Sequence, residues 1–372
     1  MRIVITGNMG YVGPCVVRQL RAAIPEAKLI GFDAGYFAPC LVDGLVLPER
    51  HLTAQYFGDV RDVPPDLLRQ TDAVVHLAGV SNDPIGKAYE RVTDEINTQA
   101  TVRLAQEARK AGVRSFVFAS SCSVYGCAES TARSEDSELG PLTAYARSKV
   151  AAEMGLAGIA SADFTVTCLR FATACGYSPR LRLDLVLNDF VATALREGTV
   201  KILSDGTPWR PLIHVTDMAR AIEWAIGRKG DSFLAVNAGS DEWNWQVADL
   251  AEAVAARIPG VRISLNRDAG PDKRSYKVSF ARFRAMAPAH QPLMSLSGAI
   301  DDMVSKLRAL DSRDWERRET FVRLAFLARL ADAGRIDSDL RWSESVSDGL
   351  RALSRALEGS VQPQPARVEA FV

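Results

Sequence analysis

The amino-acid sequence predicts an α/β protein, built as a doubly wound parallel sheet with a smaller C-terminal lobe. Two observations carry this prediction. Short runs rich in Val, Ile and Phe are almost continuously apolar, as strands buried on both faces of a parallel sheet are. Stretches with apolar residues at helical spacing separate these runs, and such alternation is typical of successive βα crossovers.

The first half contains five predicted strands: Arg2–Thr6, Lys28–Asp33, Ala73–Leu77, Phe116–Ser120 and Phe164–Phe171. The second half contains three more, of which the first two are expected to return to the main sheet: Val200–Leu203, Phe233–Asn237 and Val261–Leu265. The helix-like stretches are Asn97–Gly112, Asn188–Gly198, Gln246–Ala256, Trp315–Ala333 and Ser345–Leu357. We therefore expect three parts: residues 1–175 with 210–240 returning to them, residues 176–310, and a helical extension with a flexible tail over 311–372.

The overall composition excludes several classes of function. Among 372 residues, 45 Lys and Arg balance 45 Asp and Glu, so no net charge favours nucleic acid as a partner. No apolar run is long enough to span a bilayer and the N-terminus does not resemble a signal peptide, which predicts a cytoplasmic protein with no membrane partner. The six Cys lack CxxC spacing and the four His are scattered, so we expect free thiols and no metal site.

Three glycines mark the turn between the first predicted strand and the first helix. Gly7, Gly10 and Gly13 stand in TGNMGYVG, with GxxGxxG spacing rather than GxGxxG. Close backbone approach and a helix N-terminus suit such a turn to a pyrophosphate. A glycine-rich turn without a ligand is the alternative.

An acidic residue ends the second predicted strand. Asp33 lies 20 residues beyond Gly13, where a carboxylate can accept both hydroxyls of an adenosine ribose. It would repel a 2′-phosphate, and the following Ala34 and Gly35 provide no Arg to hold one. With the glycine turn, Asp33 predicts NAD rather than NADP, although an Asp in a turn is common on its own.

A Tyr and a Lys four residues apart indicate acid–base chemistry. Tyr145 and Lys149, in YARSK, share one face if the segment is helical. A nearby ammonium favours the phenolate, so we expect a lowered Tyr145 pKa that suits proton exchange with a hydroxyl. Ser121 directly follows the predicted strand Phe116–Ser120, 24 residues before Tyr145, and its hydroxyl is expected in the same crevice. Each feature is common alone, but the set in this order is not.

As a set, these motifs resemble the extended short-chain dehydrogenases, the nucleotide-sugar epimerase and dehydratase family, which has a Rossmann fold. The similarity covers about residues 1–310 and rests on TGNMGYVG, FGDVRD, VVHLAGVS, FASSCSVYG, YARSK and WRPLIHVTDMARAI. Two segments, SPRLRLDLVLND and PDKRSYKVS, look closest to the GDP-heptose 4-dehydrogenase branch. The resemblance implies NAD as cofactor, a nucleotide-diphosphate sugar as substrate, and a substrate-binding role for the C-terminal lobe.

The resemblance also assigns roles to individual positions. The implied catalytic triad is Ser121, Tyr145 and Lys149. The implied cofactor contacts are Gly7, Gly10, Tyr11, Val12, Gly13, Asp33, Asp59, Val60, Leu77, Ala78, Gly79, Ser120, Tyr145, Lys149 and Phe171. The implied substrate contacts are Ser81, Ser121, Cys122, Thr173, Asn188, Arg182, Arg210 and Arg274. Arg210 and Arg274 would hold the diphosphate by paired hydrogen bonds, with Arg180 a further candidate.

One departure from the family pattern bears on the reaction. The family's dehydratases carry an Asp-Glu pair directly after the catalytic hydroxyl residue, where this chain has Cys122 and Ser123. Since neither replaces a carboxylate in elimination, we expect an epimerase that acts through a 4-keto intermediate. A net dehydrogenase or ketoreductase is the alternative. A non-catalytic NAD-binding regulator is a third, which the presence of Tyr145 and Lys149 disfavours.

The resemblance further implies a homodimer. The helices over Asn97–Gly112 and Tyr145–Leu156 of two subunits would pack as a four-helix bundle. The segment after Leu310 exceeds the usual family length, and an oligomer contact is one expectation for it.

Overall fold

A computed structural model describes residues 1–42, 47–127, 131–266 and 275–343. Its strands are β1 (Arg2–Thr6), β2 (Lys28–Asp33), β3 (Ala54–Phe57), β4 (Ala73–His76), β5 (Ser115–Ser121), β6 (Thr165–Phe171), β7 (Thr173–Cys175), β8 (Thr199–Ile202), β9 (Trp209–His214), β10 (Phe233–Ala238), β11 (Asn244–Gln246) and β12 (Arg262–Leu265). Its α-helices are α1 (Gly13–Ala23), α2 (Pro65–Leu68), α3 (Asp83–Ala88), α4 (Glu90–Asp94), α5 (Thr101–Lys110), α6 (Ala144–Ala157), α7 (Val186–Glu197), α8 (Val215–Gly227), α9 (Val247–Arg257), α10 (Ala281–Met286), α11 (Leu296–Arg308), α12 (Ser312–Glu316) and α13 (Arg323–Asp332).

The central sheet confirms the predicted fold class. Seven of the described strands pair in parallel in the order β10-β6-β5-β4-β1-β2-β3. The connections run in opposite directions on either side of β1 and β4. In an open parallel sheet this reversal opens a ligand-binding crevice at the carboxyl ends of the two strands.

Two apolar cores lie on opposite faces of this sheet. Successive side chains of a strand point to opposite faces, so β1 buries Ile3 in one core and Val4 in the other. Helices α1 and α8 cover the first core, to which Leu20 contributes. Helices α5 and α6 cover the second, to which Leu104 contributes. The helices on both faces leave the carboxyl edge of the sheet as the place for a site.

One strand prediction needs correction, and one strand of the main sheet was not predicted. The run predicted over Val200–Leu203 is β8, but it pairs with β12 in a separate two-stranded sheet instead of returning to the main sheet. An apolar run does not reveal its partner strand, because hydrophobicity records burial and not pairing. The sequence also missed β3, whose side chains are half-buried or exposed, so it has no continuous apolar run.

The segment after Leu310 also differs from its prediction. Trp315–Ala333 is not one helix: α12 ends at Glu316, a 3₁₀ turn spans Arg318–Phe321, and α13 begins at Arg323. At this break the Phe321 carbonyl accepts a hydrogen bond from Leu183 N, in a distant segment, at 2.9 Å.

The described chain forms one compact unit over Met1–Ala325, and a second begins at Phe326. The predicted three-part division stays a prediction, and Ser345–Leu357 and the tail lie outside the described residues. No helix in the described ranges has the length and apolar character needed to cross a membrane.

Candidate active site

The glycine turn between β1 and α1 lies at the carboxyl edge of the sheet. Gly7 has a φ of +74°, and a Cβ there would lie 2.4 Å from Ala78 N. A Cβ on Gly13 would lie 2.0 Å from the Asn8 carbonyl oxygen. These two glycines therefore allow close backbone packing. Around Gly10, by contrast, the nearest described atom to an added Cβ is Gly7 O at 3.1 Å, which leaves room for a ligand.

The N-terminus of α1 fits an anion. Among the described residues no side chain caps this 11-residue helix, and Pro14 occupies its first turn. Uncapped amides at a helix N-terminus bind phosphate groups well. Tyr11 can take part only through its main chain, because its hydroxyl donates to Gly176 O at 2.6 Å and the residue is 5% exposed. The turn thus fits the pyrophosphate of a dinucleotide.

Asp33 faces the glycine turn from the end of β2. Its Oδ2 accepts a hydrogen bond from Met9 N at 2.9 Å and its Oδ1 accepts one from Gly35 N at 2.7 Å. Burial raises the pKa of Asp33, and these two amide hydrogen bonds oppose that rise. Each oxygen keeps a further lone pair, so the carboxylate fits a ribose diol.

Arg180, predicted as a further candidate for the substrate diphosphate, lies near Asp33 instead, a position that the sequence did not predict. Arg180 acts electrostatically on Asp33, although it lies far away in the sequence. Its guanidinium is engaged by Glu49, with Nη1–Oε1 2.6 Å and Nη2–Oε2 3.1 Å. Because Glu49 neutralises it, Arg180 does not turn the Asp33 region into a site for a 2′-phosphate.

The remaining predicted cofactor positions line the same edge. Leu77 and Ala78 are half-buried, and Gly79 is exposed after β4. A Cβ on Gly79 would lie 3.9 Å from Lys149 Nζ, which places this turn beside the predicted catalytic lysine. Asp59 and Val60 follow β3, where Asp59 caps a 3₁₀ helix through Arg61 N at 2.8 Å. Their contact with adenine stays a prediction.

The structure brings Ser121, Tyr145 and Lys149 together. Ser121 ends β5, and its hydroxyl lies close enough to the Tyr145 hydroxyl to lower its pKa. Tyr145 and Lys149 lie on α6, whose first turn is capped by Thr143 Oγ1 accepting from Ala146 N at 3.1 Å. Lys149 Nζ lies 5.6 Å from the centre of the Tyr145 ring. It donates to Ala119 O at 2.8 Å, which fixes its position against β5.

The expected lowering of the Tyr145 pKa is wrong for the chain by itself. Burial raises the pKa of Tyr145 to about 12, against a smaller opposing effect of the Ser121 hydroxyl. Burial also lowers the pKa of Lys149 to about 8. Helical spacing predicted that the two groups are neighbours. It did not predict that both lose their water, and desolvation disfavours the charged form of each.

Two predicted contacts beside Ser121 point into the protein. Cys122 is 1% exposed and its thiol donates to Arg170 O at 3.1 Å, so the predicted substrate contact through this side chain is wrong. Ser120 Oγ donates to Glu153 Oε1 at 2.5 Å, so only the main chain of Ser120 is available to the cofactor. Glu153 also binds Arg170, with Nη2–Oε2 2.7 Å. The sequence reasoning did not single out Glu153 or Arg170.

Asn188 also needs correction. It is 0% exposed, Oδ1 accepts from Gly176 N at 2.8 Å, and Nδ2 donates to Arg182 O at 2.9 Å. Its side chain is used within the protein and offers no exposed group to substrate phosphates in this structure. Phe171 is buried at 4% exposure in the core, whereas Thr173 is half-buried at the start of β7.

The predicted arginines have different surroundings. Arg182 donates from Nη1 to Ser81 Oγ at 3.2 Å and forms two 2.9 Å hydrogen bonds with Asp184, so Ser81 and Arg182 meet as predicted substrate residues. Arg182 also acts electrostatically on Tyr145. Arg210 is half-buried, and its Nη1 donates to Trp209 O at 2.9 Å. Arg274 lies outside the described residues.

A family model described as the NAD-dependent epimerase/dehydratase family matches residues 3–239, which is more than half of the chain. The chain belongs to this family. It is therefore an NAD-dependent enzyme, which confirms the resemblance to the extended short-chain dehydrogenases and the cofactor predicted from Asp33. The finer likeness to a GDP-heptose 4-dehydrogenase stays a prediction.

Individual members of the family are similar over most of the chain. An uncharacterised UDP-glucose epimerase of Bacillus subtilis (strain 168) is 26% identical over 83% of this chain and 99% of its own. A dTDP-glucose 4,6-dehydratase of Streptomyces griseus is 29% identical over 64% of this chain and 73% of its own. The structure of MoeE5 in complex with UDP-glucuronic acid and NAD is 25% identical with a TM-score of 0.71, covering 83% of this chain and 99% of that one.

Proposed function

We propose that this protein is a nucleotide-sugar epimerase that inverts a sugar carbon through a 4-keto intermediate. The observation that carries the proposal is the cluster of Ser121, Tyr145 and Lys149 at the carboxyl edge of the sheet, beside an NAD-binding turn. Relatives named as UDP-sugar epimerases support a nucleoside-diphosphate sugar as the substrate class. Ser81, Thr173, Arg182 and Arg210 are the proposed substrate contacts that the structure leaves available.

Each side chain of the cluster has a distinct task in this proposal. The glycine turn and Asp33 would hold NAD, which would supply a reversible hydride acceptor for the sugar carbon. Tyr145 exchanges a proton with the sugar hydroxyl on that carbon, and Ser121 holds the same oxygen by a hydrogen bond. Lys149 contributes positive charge beside the phenol. Oxidation of the sugar hydroxyl needs Tyr145 as the phenolate, so the positive charges of Lys149 and of the nicotinamide would have to lower the Tyr145 pKa from the value of about 12 that it has in the chain alone.

The surroundings of Ser121 favour epimerisation over dehydration. Elimination of water requires an acid and a base beside the sugar. The position after Ser121 is Cys122, whose buried thiol has a raised pKa and faces the core. No carboxylate stands in this segment of the chain, which reads SSCSVYG.

The decisive experiment incubates the purified protein with a panel of UDP-, dTDP- and GDP-sugars without added cofactor. Proton NMR would then show an inverted sugar, with no net NADH by absorbance at 340 nm. Stoichiometric NADH formation would instead assign a net dehydrogenase. Absence of any reaction across the panel, with and without added NAD or NADH, would refute catalysis on nucleotide sugars. The homodimer and the cytoplasmic location stay predictions, and light scattering tests the first.

A further inference from the structure

A strap of chain, residues 178–184, runs along the cofactor edge and contacts three separate loops. Ser178 Oγ donates to Tyr11 O at 2.6 Å, in the glycine turn. The Pro179 carbonyl accepts from Val42 N at 2.8 Å, in the loop after β2. Asp184 Oδ2 accepts from Asn82 Nδ2 at 2.9 Å, after β4. The strap therefore joins three loops that contain or directly follow predicted cofactor contacts: the glycine turn, the loop after Asp33 and the loop after β4.

A second segment, residues 317–323, fastens the strap from the other side. Leu183 N donates to Phe321 O at 2.9 Å, and Arg323 Nη2 donates to Arg180 O at 3.0 Å. The segment also holds the loop after β2, because Arg317 Nη2 donates to Leu41 O at 2.5 Å. This segment lies beyond the part of the chain that matches the family model, residues 3–239.

Arg323 is the buried centre of this arrangement. It is 0% exposed, and its guanidinium lies 4.5 Å from the centre of the Phe37 ring in the loop after β2. Its Nη1 is buried and has no hydrogen-bond partner among the described residues. Burial lowers the pKa of Arg323 to about 10. A buried cation of this kind is unfavourable unless other interactions hold it in place.

The charges around Arg323 are unevenly paired. Arg180 is paired with Glu49 and Arg182 with Asp184, while Arg323 forms no ion pair in the described part of the chain. With Asp33, on which Arg180 also acts, the group holds three guanidinium groups and three carboxylates. Arg323 is therefore held through the Arg180 carbonyl and the Phe37 ring, and not by a carboxylate of its own.

We propose that Arg323 is a positioning residue that keeps the strap closed over the cofactor and thereby slows the release of NAD. Arg323 reaches both the strap, through Arg180 O, and the loop after β2, through Phe37. Its removal would let the two move apart. The proposal rests on the proposed function in one respect: an epimerase regenerates its NAD in every cycle and therefore gains from retaining it.

The test measures NAD release from the purified holoenzyme, without sugar, by chasing bound NAD with excess fluorescent etheno-NAD. We expect Arg323→Met to accelerate release about tenfold or more, which corresponds to about 1.4 kcal/mol. The matched control is Arg318→Met. Arg318 lies in the same segment, but it binds Glu197 of α7, with Nη1–Oε1 3.3 Å, instead of the strap. Its release rate should stay within about twofold of the wild type.

Two outcomes of the comparison between Arg323→Met and Arg318→Met would overturn the proposal. One is wild-type release from a folded Arg323→Met protein. The other is equal acceleration in Arg318→Met, because that would indicate general loosening. If Arg323→Met does not fold, Arg317→Met decides, since that side chain is 42% exposed and its loss removes the contact with Leu41 without opening a core. Release at the wild-type rate from Arg317→Met would then refute the strap mechanism.

The result separates this proposal from the proposed function because no sugar is present. Slow release that Arg323→Met accelerates supports the strap mechanism even if no nucleotide sugar is inverted. Release of NAD from the wild type within the mixing time refutes it even if a sugar is inverted.

Discussion

Two buried cations, Lys149 on helix α6 and Arg170 on β6 beside it, differ in how their charge is balanced. Lys149 and Arg170 are both 6% exposed. Arg170 lies against Glu153, with Nη2–Oε2 2.7 Å and Nε–Oε1 3.1 Å, and also donates to the Tyr125 hydroxyl at 3.0 Å. Lys149 donates to the Ala119 carbonyl at 2.8 Å and forms no ion pair with a carboxylate among the described residues.

The difference in pairing gives the two cations opposite behaviour. Burial works against the charge of Arg170, but the hydrogen bonds and charge of Glu153 outweigh it and raise the Arg170 pKa. Burial prevails at Lys149 and lowers its pKa to about 8. The paired charge of Arg170 stabilises the fold. The unpaired charge of Lys149, beside Tyr145, responds to the charge of a ligand that binds in the crevice.

The largest expected effect comes from removing the Tyr145 hydroxyl, the proton carrier beside Lys149. Tyr145→Phe deletes the hydroxyl that exchanges a proton with the sugar, so turnover should fall roughly a hundredfold to ten-thousandfold. The measurement is the rate of sugar inversion at saturating substrate, with bound NAD quantified by absorbance after release. Retained NAD together with the lost rate supports the role. A variant rate within about tenfold of the wild type would exclude Tyr145 as the acid–base group.

Changes to the Glu153–Arg170 pair should lower the stability of the fold instead of the rate of the reaction. Glu153→Gln leaves Arg170 buried without its carboxylate, which should lower the free energy of unfolding by about 3–5 kcal/mol in urea. The double variant Glu153→Gln/Arg170→Met removes both charges and should recover part of this loss. If Glu153→Gln alone is as stable as the wild type, the pair does not hold the fold as described.

Much of this fold was predictable from the sequence, because its main signals are local. β1 and β2 were predicted at their observed bounds, since strands buried on both faces are apolar throughout. The order of four features along the chain also predicted the site: the glycine turn, Asp33, Ser121 and Tyr145. These residues lie at strand ends or helix starts, and the topology of a parallel sheet brings such positions together.

The failures concern properties that only tertiary contacts decide. Asn188 carries an amide that could bind a ligand, but this amide hydrogen-bonds the main chain of Gly176 and Arg182 instead. The desolvation that sets the pKa of Tyr145 comes from neighbours distant in sequence. Likewise, the charged pattern of Trp315–Ala333 suits a solvated helix, and nothing local shows that Arg323 turns inward.

The unbalanced state of Lys149 predicts a pH dependence of stability in the NAD-free protein. Its pKa is about 8 when folded against 10.5 as the ordinary value, so between these values the unfolded chain binds the extra proton. The free energy of unfolding should therefore rise with pH, by about 2 kcal/mol from pH 7 to pH 10. Lys149 faces Glu153 on its own helix, Cys168 on β6 and His76 on β4.

Lys149→Met supplies the control for this slope. Tyr145 retains its proton until about pH 12, so its opposing contribution begins only near its ordinary value of 10.0. The difference in unfolding free energy between the wild type and Lys149→Met, followed in urea, thus isolates Lys149 between pH 8 and 10. A difference that stays flat over this range would show that Lys149 is not desolvated as the structure indicates.

The smallest expected effect tests whether the residue beside Ser121 belongs to the core or to the crevice. Cys122→Ala removes a buried sulfur and its hydrogen bond to Arg170 O, which should cost about 1 kcal/mol of unfolding free energy. The Michaelis constant for the nucleotide sugar should stay within about twofold, because the thiol faces away from the substrate. Thr173→Ala, at a half-buried position beside the crevice, is the matched comparison and should raise that constant. An increase for Cys122→Ala as large as for Thr173→Ala would mean that the thiol turns toward the sugar when substrate binds, and that the side chains after Ser121 are not fixed by the core.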